Sequence, residues 1–381
     1  MPMMPQQRRF RYIGLDVHRA TIAVAIAEDD GSPPTSYGSI ANEPAAIRKL
    51  MLRLGQPKDD VEVQLTVAYE AGPTGYVVQR QLSSLGVECA VVAPSLIPVR
   101  PGDKVKTDRR DALKLARLLR SGDLTPIWVP DAAHEALRNL VRARADAKAD
   151  ELRAKHRLSK FLLRQGRLQP PPKTRSWSRR YLHWLRQLQF EHVADHIVFA
   201  DYLAVVAAAT ERVARLEVAL RTSAQSSTQA HLIQALQAFR GIGFLSAVTI
   251  VAEAGSLRRF RTAPQFMAYA GTVPSESSTG SRQRRGHITK TGNSLLRHVL
   301  GEAAHHARHA PNLSDDLKRR QRQLPTAVVE HAWRAQLRLH TRYRQLCARV
   351  GPYRALTAIA RELGGFIWGT AQLIDEVPAA A

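Results

Sequence analysis

Two cysteines in 381 residues, Cys89 and Cys347, are too few for a disulfide framework or a cysteine-built zinc site. Both read as ordinary thiols of a reducing compartment. Acidic residues are scarce as well: 33 Asp and Glu face 56 Lys and Arg, a formal net charge of +23. A surface of that sign gathers polyanions, with nucleic acid the leading partner and acidic lipid the second. No run of about 18 apolar residues stands out. The opening MPMMPQQRRFRY lacks the apolar centre of a secretion signal. The expectation is therefore a cytoplasmic, nucleoid-associated protein with no membrane partner. Hydrophobic residues at 44% and charged residues at 23% mark a globular chain, long enough for two or three domains.

Against this basic background the acids that do occur carry information. Lys104–Leu119, KVKTDRRDALKLARLL, is a strongly helical run that opens on Asp108 and Asp111, spaced to share one face of its first turn. A carboxylate pair among cations suits a divalent metal held against phosphate. Arg109 and Arg110, between the two acids, are expected on nucleic acid.

Upstream, residues 11–28 run apolar on both sides of a polar tip, DVHRAT, which predicts a β-hairpin with Asp16 near the end of its first strand. Residues 35–40 predict a third strand, and Asn42 an N-cap for a helix over 43–54 with Pro44 in its first turn. Residues 61–68 alternate as a fourth strand that delivers Glu70 at its end. A helix over 73–85 and a strand over 87–92 precede the helix of Asp108 and Asp111. The order β-β-β-α-β-α-β-α is a mixed α/β sheet of the ribonuclease-H-like type. In that order, acids at strand 1, strand 4 and the last helix meet at one sheet edge. Asp16, Glu70, Asp108 and Asp111 occupy those places, and a pair of Mg²⁺ ions is the expected cofactor. His18, two residues beyond Asp16, is either a proton shuttle or an exposed tip residue.

From Asp131 to about Gly166 the apolar spacing predicts one long helix. QPPPK at 169–173 breaks it, and a second helical stretch runs over 179–220, interrupted near 192–199. Between Arg138 and Arg186, 15 Lys and Arg face only Asp146, Asp150 and Glu151. So basic a helical hairpin reads either as a solvated charged face or as a nucleic-acid arm. Residues 232–255 carry a G-I-G turn between two helices, similar to a helix-hairpin-helix element whose amides can grip phosphate. Residues 271–293, GTVPSESSTGSRQRRGHITKTGN, predict a loop that cannot be core. Ser277, Ser278 and Thr279 there precede Arg282, Arg284, Arg285 and Lys290. That pairing suits hydroxyl attack on a phosphodiester with guanidinium support. His287, metal-bound hydroxide or a phosphate oxygen could take the proton. Helices over 294–308, 315–323, 326–347 and 353–368 complete an otherwise all-α second half.

Taken together, GLDVHRATIAVAIAE, the strand ending at Glu70, VKTDRRDALKLARLL, GIGFLSAVTIVAEAG, VPSESSTGSRQRRGHITKTGN and ARELGGFIW resemble the DEDD-type insertion-sequence transposases. These recombinases are guided by a structured bridge RNA. The likeness runs collinearly over nearly the whole chain. It implies a RuvC-like nuclease domain over 10–125, a helical coiled-coil arm and linker over 131–228, and a C-terminal transposase domain over 229–375. It also implies Mg²⁺ on Asp16, Glu70, Asp108 and Asp111, and a serine that becomes joined to DNA. Ser278 fits the family's pattern of Pro, three variable residues, Ser, Ser or Thr, Gly; Ser277 is an additional hydroxyl. Donor and target DNA, a non-coding guide RNA, and a dimer or tetramer with active sites shared between subunits are the implied partners. A RuvC-like junction nuclease with no serine intermediate, or a non-catalytic nucleic-acid-binding protein, would share the first half of this pattern.

Overall fold

The computed structural model describes residues 8–57, 61–98, 106–167, 170–279 and 282–374. The chain divides into two compact units, Met1–Val129 and Pro130–Ala381.

In the first unit, β1 (Arg8–Val17) and β2 (Thr21–Glu28) form the expected hairpin, its tip closed by the His18 amide donating to the Thr21 carbonyl at 2.9 Å. β3 (Thr35–Ala41), α1 (Pro44–Leu54), β4 (Glu62–Glu70), α2 (Val77–Ser84), β5 (Glu88–Val92) and α3 (Asp108–Arg120) follow. The sheet order is β3-β2-β1-β4-β5. β1–β2 and β2–β3 pair antiparallel, whereas β1–β4 and β4–β5 pair parallel. This mixed sheet is compatible with a ribonuclease-H-like domain. Two details differ from the sequence expectation. Glu43, not Asn42, is the N-cap of α1, and the Asn42 amide donates to the His18 carbonyl at 2.8 Å instead. The second helix starts at Val77 rather than 73, after a turn over 73–76.

The two faces of this sheet are built from different side chains. Ile13, Leu15, Val67 and Tyr69 join Ile47, Leu50 and Leu82 in a layer of large apolar groups under α1 and α2. Each such side chain contributes roughly 1.5–3 kcal/mol by burial. The opposite face is small: Gly14, Ala25 and Ala27 lie beneath Ala112 and Ala116 of α3. A Cβ added at Gly14 would stand 2.2 Å from the Ala112 carbonyl oxygen and 2.5 Å from the Ala116 amide nitrogen. The missing side chain is therefore what lets the α3 backbone lie on β1. So small a contact buries little apolar area, and polar ties add to it. The Arg120 guanidinium donates to the carbonyls of Glu28 at 3.0 Å and Ser32 at 2.6 Å.

The second unit opens with α4 (Ala132–Arg164), whose N-cap Asp131 accepts from the His134 amide at 2.7 Å. After α5 (Arg179–Arg186), α6 (Val193–Gln225) runs back antiparallel along α4. Arg144–Glu217 and Arg212–Asp150 ion pairs cross between the two long helices, and Thr210 donates to Glu151 at 3.1 Å. Phe199, Val206, Val213 and Leu220, seven residues apart, and then Ala224 form the buried line of α6. That single line leaves most of α6 uncovered: Val193, Ile197 and Val218 are 77%, 63% and 66% exposed. By length and composition α6 could cross a membrane, a run the opening reading of the sequence did not register.

Helices α7 (Ala230–Leu236), α8 (Phe244–Ala254), α9 (Ala263–Tyr269), α10 (Ser294–Ala304), α11 (Asp315–Gln321), α12 (Thr326–Val350) and α13 (Pro352–Ala371) complete the unit. Most of them share one apolar core that includes Val248, Phe266, Leu300 and Ile359. Between α9 and α10, the expected loop is a two-stranded antiparallel hairpin, β6 (Pro274–Thr279) and β7 (Arg282–Ile288). Its described side chains are exposed except for Pro274 and Ile288 at its root, which are half-buried. With neither face on a core, no apolar alternation marks these strands in the sequence.

Gly14→Val is expected to lower stability in urea unfolding by about 1–3 kcal/mol, through overpacking against backbone that cannot move aside. It should also displace the N-terminal turn of α3. Wild-type stability of that variant would show that α3 is not seated as described.

Candidate active site

Parallel pairing of β1 with β4 places Leu15 opposite Tyr69, so Asp16 and Glu70 come next, side by side at the strand ends. Leu15 and Tyr69 belong to the apolar layer under α1 and α2. Strand alternation turns Asp16 and Glu70 to the other face, the one that carries α3.

Thr107 caps α3, its hydroxyl accepting from the Arg110 amide at 3.4 Å, and Asp108 and Asp111 fill the first turn. The helix N-terminus favours negative charge there. The His18 Nε2 lies 3.3 Å from Asp16 Oδ2 and 3.4 Å from Asp108 Oδ1. One ligand atom from each of these three residues falls within 4.8 Å of the others, a spacing that could hold a metal ion. Glu70 and Asp111 line an adjoining cleft of about 680 Å³. Among the described residues, four cations share its wall: Lys106, 4.0 Å from Asp111 Oδ2, then Arg110, Lys114 and Arg117 along α3. Acids and cations thus border one cleft, the acids suited to metal and the cations to a phosphodiester strand.

The electrostatics fit a divalent cation. Burial pushes the Asp16 carboxyl above the usual carboxylate range; the His18 imidazole opposes this, and the negative charges of Asp108 and Asp111 add to it. A metal among these groups would relieve the like-charge crowding, and carboxylate oxygens with one imidazole nitrogen are suitable donors.

The other expected site residues lie in the second unit. Strand pairing sets Ser277 opposite Arg284, Ser278 opposite Gln283 and Thr279 opposite Arg282. Ser277 and Arg284 are exposed, and directly opposed residues share a face of the hairpin. The side chains of Ser278, Arg282 and Arg285 lie outside the described set. Lys290 is exposed at the hairpin's exit, at φ +54°. His287 is exposed, and its carbonyl accepts from the Ser275 hydroxyl at 3.2 Å. Arg109 stands exposed in the first turn of α3, next to Arg110 of the cleft wall.

Sequence reasoning passed over Lys106, Lys114 and Arg117. Their spacing with Arg110, three or four residues per step, was the available signal. The bridging position of His18 was not readable, because it depends on contact between residues 18 and 108.

Residues 13–165 match a DEDD-type IS110 family model described as Transposase, and residues 233–319 match the model described as Transposase IS116/IS110/IS902 family. A putative transposase of Sinorhizobium fredii, y4qE, is 41% identical over 366 residues, covering 96% of this chain and 89% of its own length. The transposase for insertion sequence element IS1533 of Leptospira borgpetersenii is 30% identical over 341 residues, 89% of this chain and 97% of its own. A probable family 20 transposase of Pseudomonas aeruginosa is 32% identical over 257 residues, 61% of this chain and 68% of its own.

The raised Asp16 pKa has a stability consequence. The folded chain holds the Asp16 proton more tightly than the unfolded one, so stability falls as pH rises through the raised value. Above that value the ionised carboxylate therefore destabilises the cation-free fold. Asp16→Asn should raise the melting temperature in EDTA at pH 7, with the difference from wild type shrinking as pH drops toward the carboxylate range. Added Mg²⁺ should raise the melting temperature of the wild type and not that of the variant. Equal responses to Mg²⁺ would remove Asp16 from the metal site.

Proposed function

Because the chain belongs to the IS116/IS110/IS902 family of transposases, we propose that it excises and rejoins an insertion element through a covalent serine–DNA intermediate. The observation that carries this is the convergence of acids at one sheet edge. Asp16 and Asp108 flank His18 Nε2 at 3.3 and 3.4 Å, beside a cleft lined by Glu70 and Asp111.

In this reading Asp16, Glu70, Asp108 and Asp111 hold a pair of Mg²⁺ ions, with His18 as a neighbouring nitrogen donor. The bound cations would polarise the scissile phosphate and stabilise the departing 3′-oxygen. Lys106, Arg110, Lys114 and Arg117 hold the strand along α3 by its phosphates. Ser278 supplies the nucleophile: its Oγ–P bond forms as the P–O3′ bond breaks, and a proton ends on the released 3′-hydroxyl. Arg282, Arg284, Arg285 and Lys290 offset charge on the phosphorane. Attack by the 3′-hydroxyl of the exchanged strand then reverses these bond changes, restores a phosphodiester and frees the serine. Ser277, opposite Arg284, is the alternative hydroxyl.

Target and donor choice is delegated to base pairing with a structured RNA, and the protein contributes backbone and shape contacts. The strongly basic stretch from Arg138 to Arg186 supports an RNA- or DNA-binding arm. The uncovered apolar side chains of α6 support a second copy of the chain on that arm, as a coiled-coil dimer or tetramer with composite active sites. The G-I-G turn before α8 would add phosphate contacts of the helix-hairpin-helix kind.

A second reading, a Mg²⁺-dependent junction nuclease with no serine intermediate, draws on the acids' all lying within the first unit. Denaturation after incubation with element-end DNA and Mg²⁺ separates the two. The transposase reading expects a protein–DNA adduct whose peptide map carries the phosphate on Ser278, and loss of both adduct and recombinant product in Ser278→Ala. Full recombination by that variant would overturn the serine step. Strand cutting in the wild type with no adduct would support the nuclease.

A further inference from the structure

One ionised side chain in the second unit sits where no charge is expected. Glu253 is 0% exposed near the end of α8, FLSAVTIVAEA, a helix otherwise free of charged residues. A buried carboxylate is costly unless it is paired and hydrogen-bonded. Its partners come from two separate elements. Arg142 of α4 donates Nε to Oε1 at 2.8 Å and Nη2 to Oε2 at 3.0 Å, and Arg138 of α4 donates Nε to Oε2 at 3.3 Å. The third partner is Asn293, whose side-chain amide donates to Oε2. Burial alone would push the Glu253 carboxyl up; the two guanidiniums and the Asn293 amide outweigh it and hold it below the usual range.

Asn293 is where the chain leaves the β6–β7 hairpin. Its Oδ1 accepts from the Leu296 amide at 2.9 Å and so caps α10, and its own amide donates to the Tyr269 carbonyl at 3.3 Å. Tyr269, at the end of α9, is where the chain enters the hairpin, and its hydroxyl donates to the Glu253 carbonyl at 2.9 Å. Between these two feet, the Lys290 amide donates to the Gly271 carbonyl at 3.2 Å and the Thr289 amide to the Val273 carbonyl at 2.8 Å. Gly292 packs so tightly on the Tyr269 carbonyl that a Cβ there would lie 2.2 Å from its oxygen. Glu253 therefore touches both feet of the hairpin, one through its carboxylate and one through its backbone, and ties them to α4.

We infer that Glu253 is a positioning residue that aims the Ser/Arg hairpin from its root. This deepens the proposed serine chemistry and rests on it. The hairpin has no core of its own, so its direction is set where it joins the helices. Six residues of strand span about 20 Å, so a tilt of about 3° at the root moves the far end by about 1 Å. A misplacement of that size can cost about 10²-fold in rate. An apolar side chain at 253 could fill the volume, and it could neither bind the Asn293 amide nor hold α4 by charge.

The test separates aiming from mere stability. Glu253→Gln keeps the shape and removes the charge, leaving two guanidiniums uncompensated, and is expected to lose stability. The triple variant Arg138→Met, Arg142→Met, Glu253→Leu replaces the three charged groups with apolar ones, a change that is often neutral or stabilising. It should melt near the wild type and still form the DNA adduct about 10²-fold more slowly at saturating DNA. Backbone amide hydrogen exchange over residues 274–288 should be about 10-fold faster. A triple variant with wild-type stability and wild-type adduct rate overturns the inference, as does a slowed rate with unchanged hairpin exchange. If the wild type forms no adduct, the serine chemistry fails while hydrogen exchange still decides whether Glu253 holds the hairpin.

Discussion

The close seat of α3 on β1, made possible by the absence of a side chain at Gly14, is the constraint on which the acidic site depends. Asp108 belongs to the first turn of α3 and Asp16 to the end of β1. Both can approach His18 Nε2 only if helix and strand backbones nearly touch. Gly14, Ala25, Ala27, Ala112 and Ala116 make that contact. The large side chains are reserved for the opposite face, where Leu15 and Tyr69 anchor the strands whose next residues are Asp16 and Glu70. A single alternation along β1 thus places stability on one face and chemistry on the other.

That division accepts a local penalty. Asp16 is partly buried and faces two further carboxylates across a short gap, with its carboxyl pushed up as a result. Structural ion pairs usually lower carboxyl pKa values, as at Glu253, where the guanidiniums dominate. The half-buried Asp16 and the buried Glu253 therefore show opposite behaviour for a physical reason. Glu253 has its counter-charge within the chain, and among the described residues His18 is the group that offsets Asp16. Crowded carboxylates at Asp16 and Asp108, beside a cleft walled by Lys106, Arg110, Lys114 and Arg117, are the arrangement expected where a cation and a phosphate complete the site.

Much of this was legible from residue order. The strands and helices of the first unit appear in the expected sequence because their hydrophobic periods are strong and their breaks carry Pro or Gly. The placement of Asp16 and Glu70 at strand ends followed from the same periods. Asn42 misled because capping is a local rule, and its amide is engaged by His18 across the hairpin tip. The strands β6 and β7 left no trace because their described side chains face water rather than a core. α6 hid its exposure: apolar letters in a long helix suggest burial, yet only about one residue in each seven is fully buried. Glu253 did leave a mark, as the one charged letter in an apolar helix, and its partners at 138, 142 and 293 are too far apart in sequence for spacing to reveal them.

The two loci also differ in how each is kept in place. The acids stand on strand ends and on the first turn of a helix, elements fixed by a packed sheet, and their geometry needs no further support. The Ser/Arg hairpin projects from the helices with its described side chains exposed beyond the root, and its two strands pair with each other. Such an element can follow a nucleic-acid strand without disturbing a core, and for the same reason it has no intrinsic direction. Direction must then come from its two ends. Gly292 against Tyr269, Asn293 as cap, and Glu253 beneath both make those ends the most restrained part of the segment. A charge buried in an apolar helix is a poor means of adding stability. It is an effective means of fixing three elements, α4, α8 and the hairpin root, at one angle to each other.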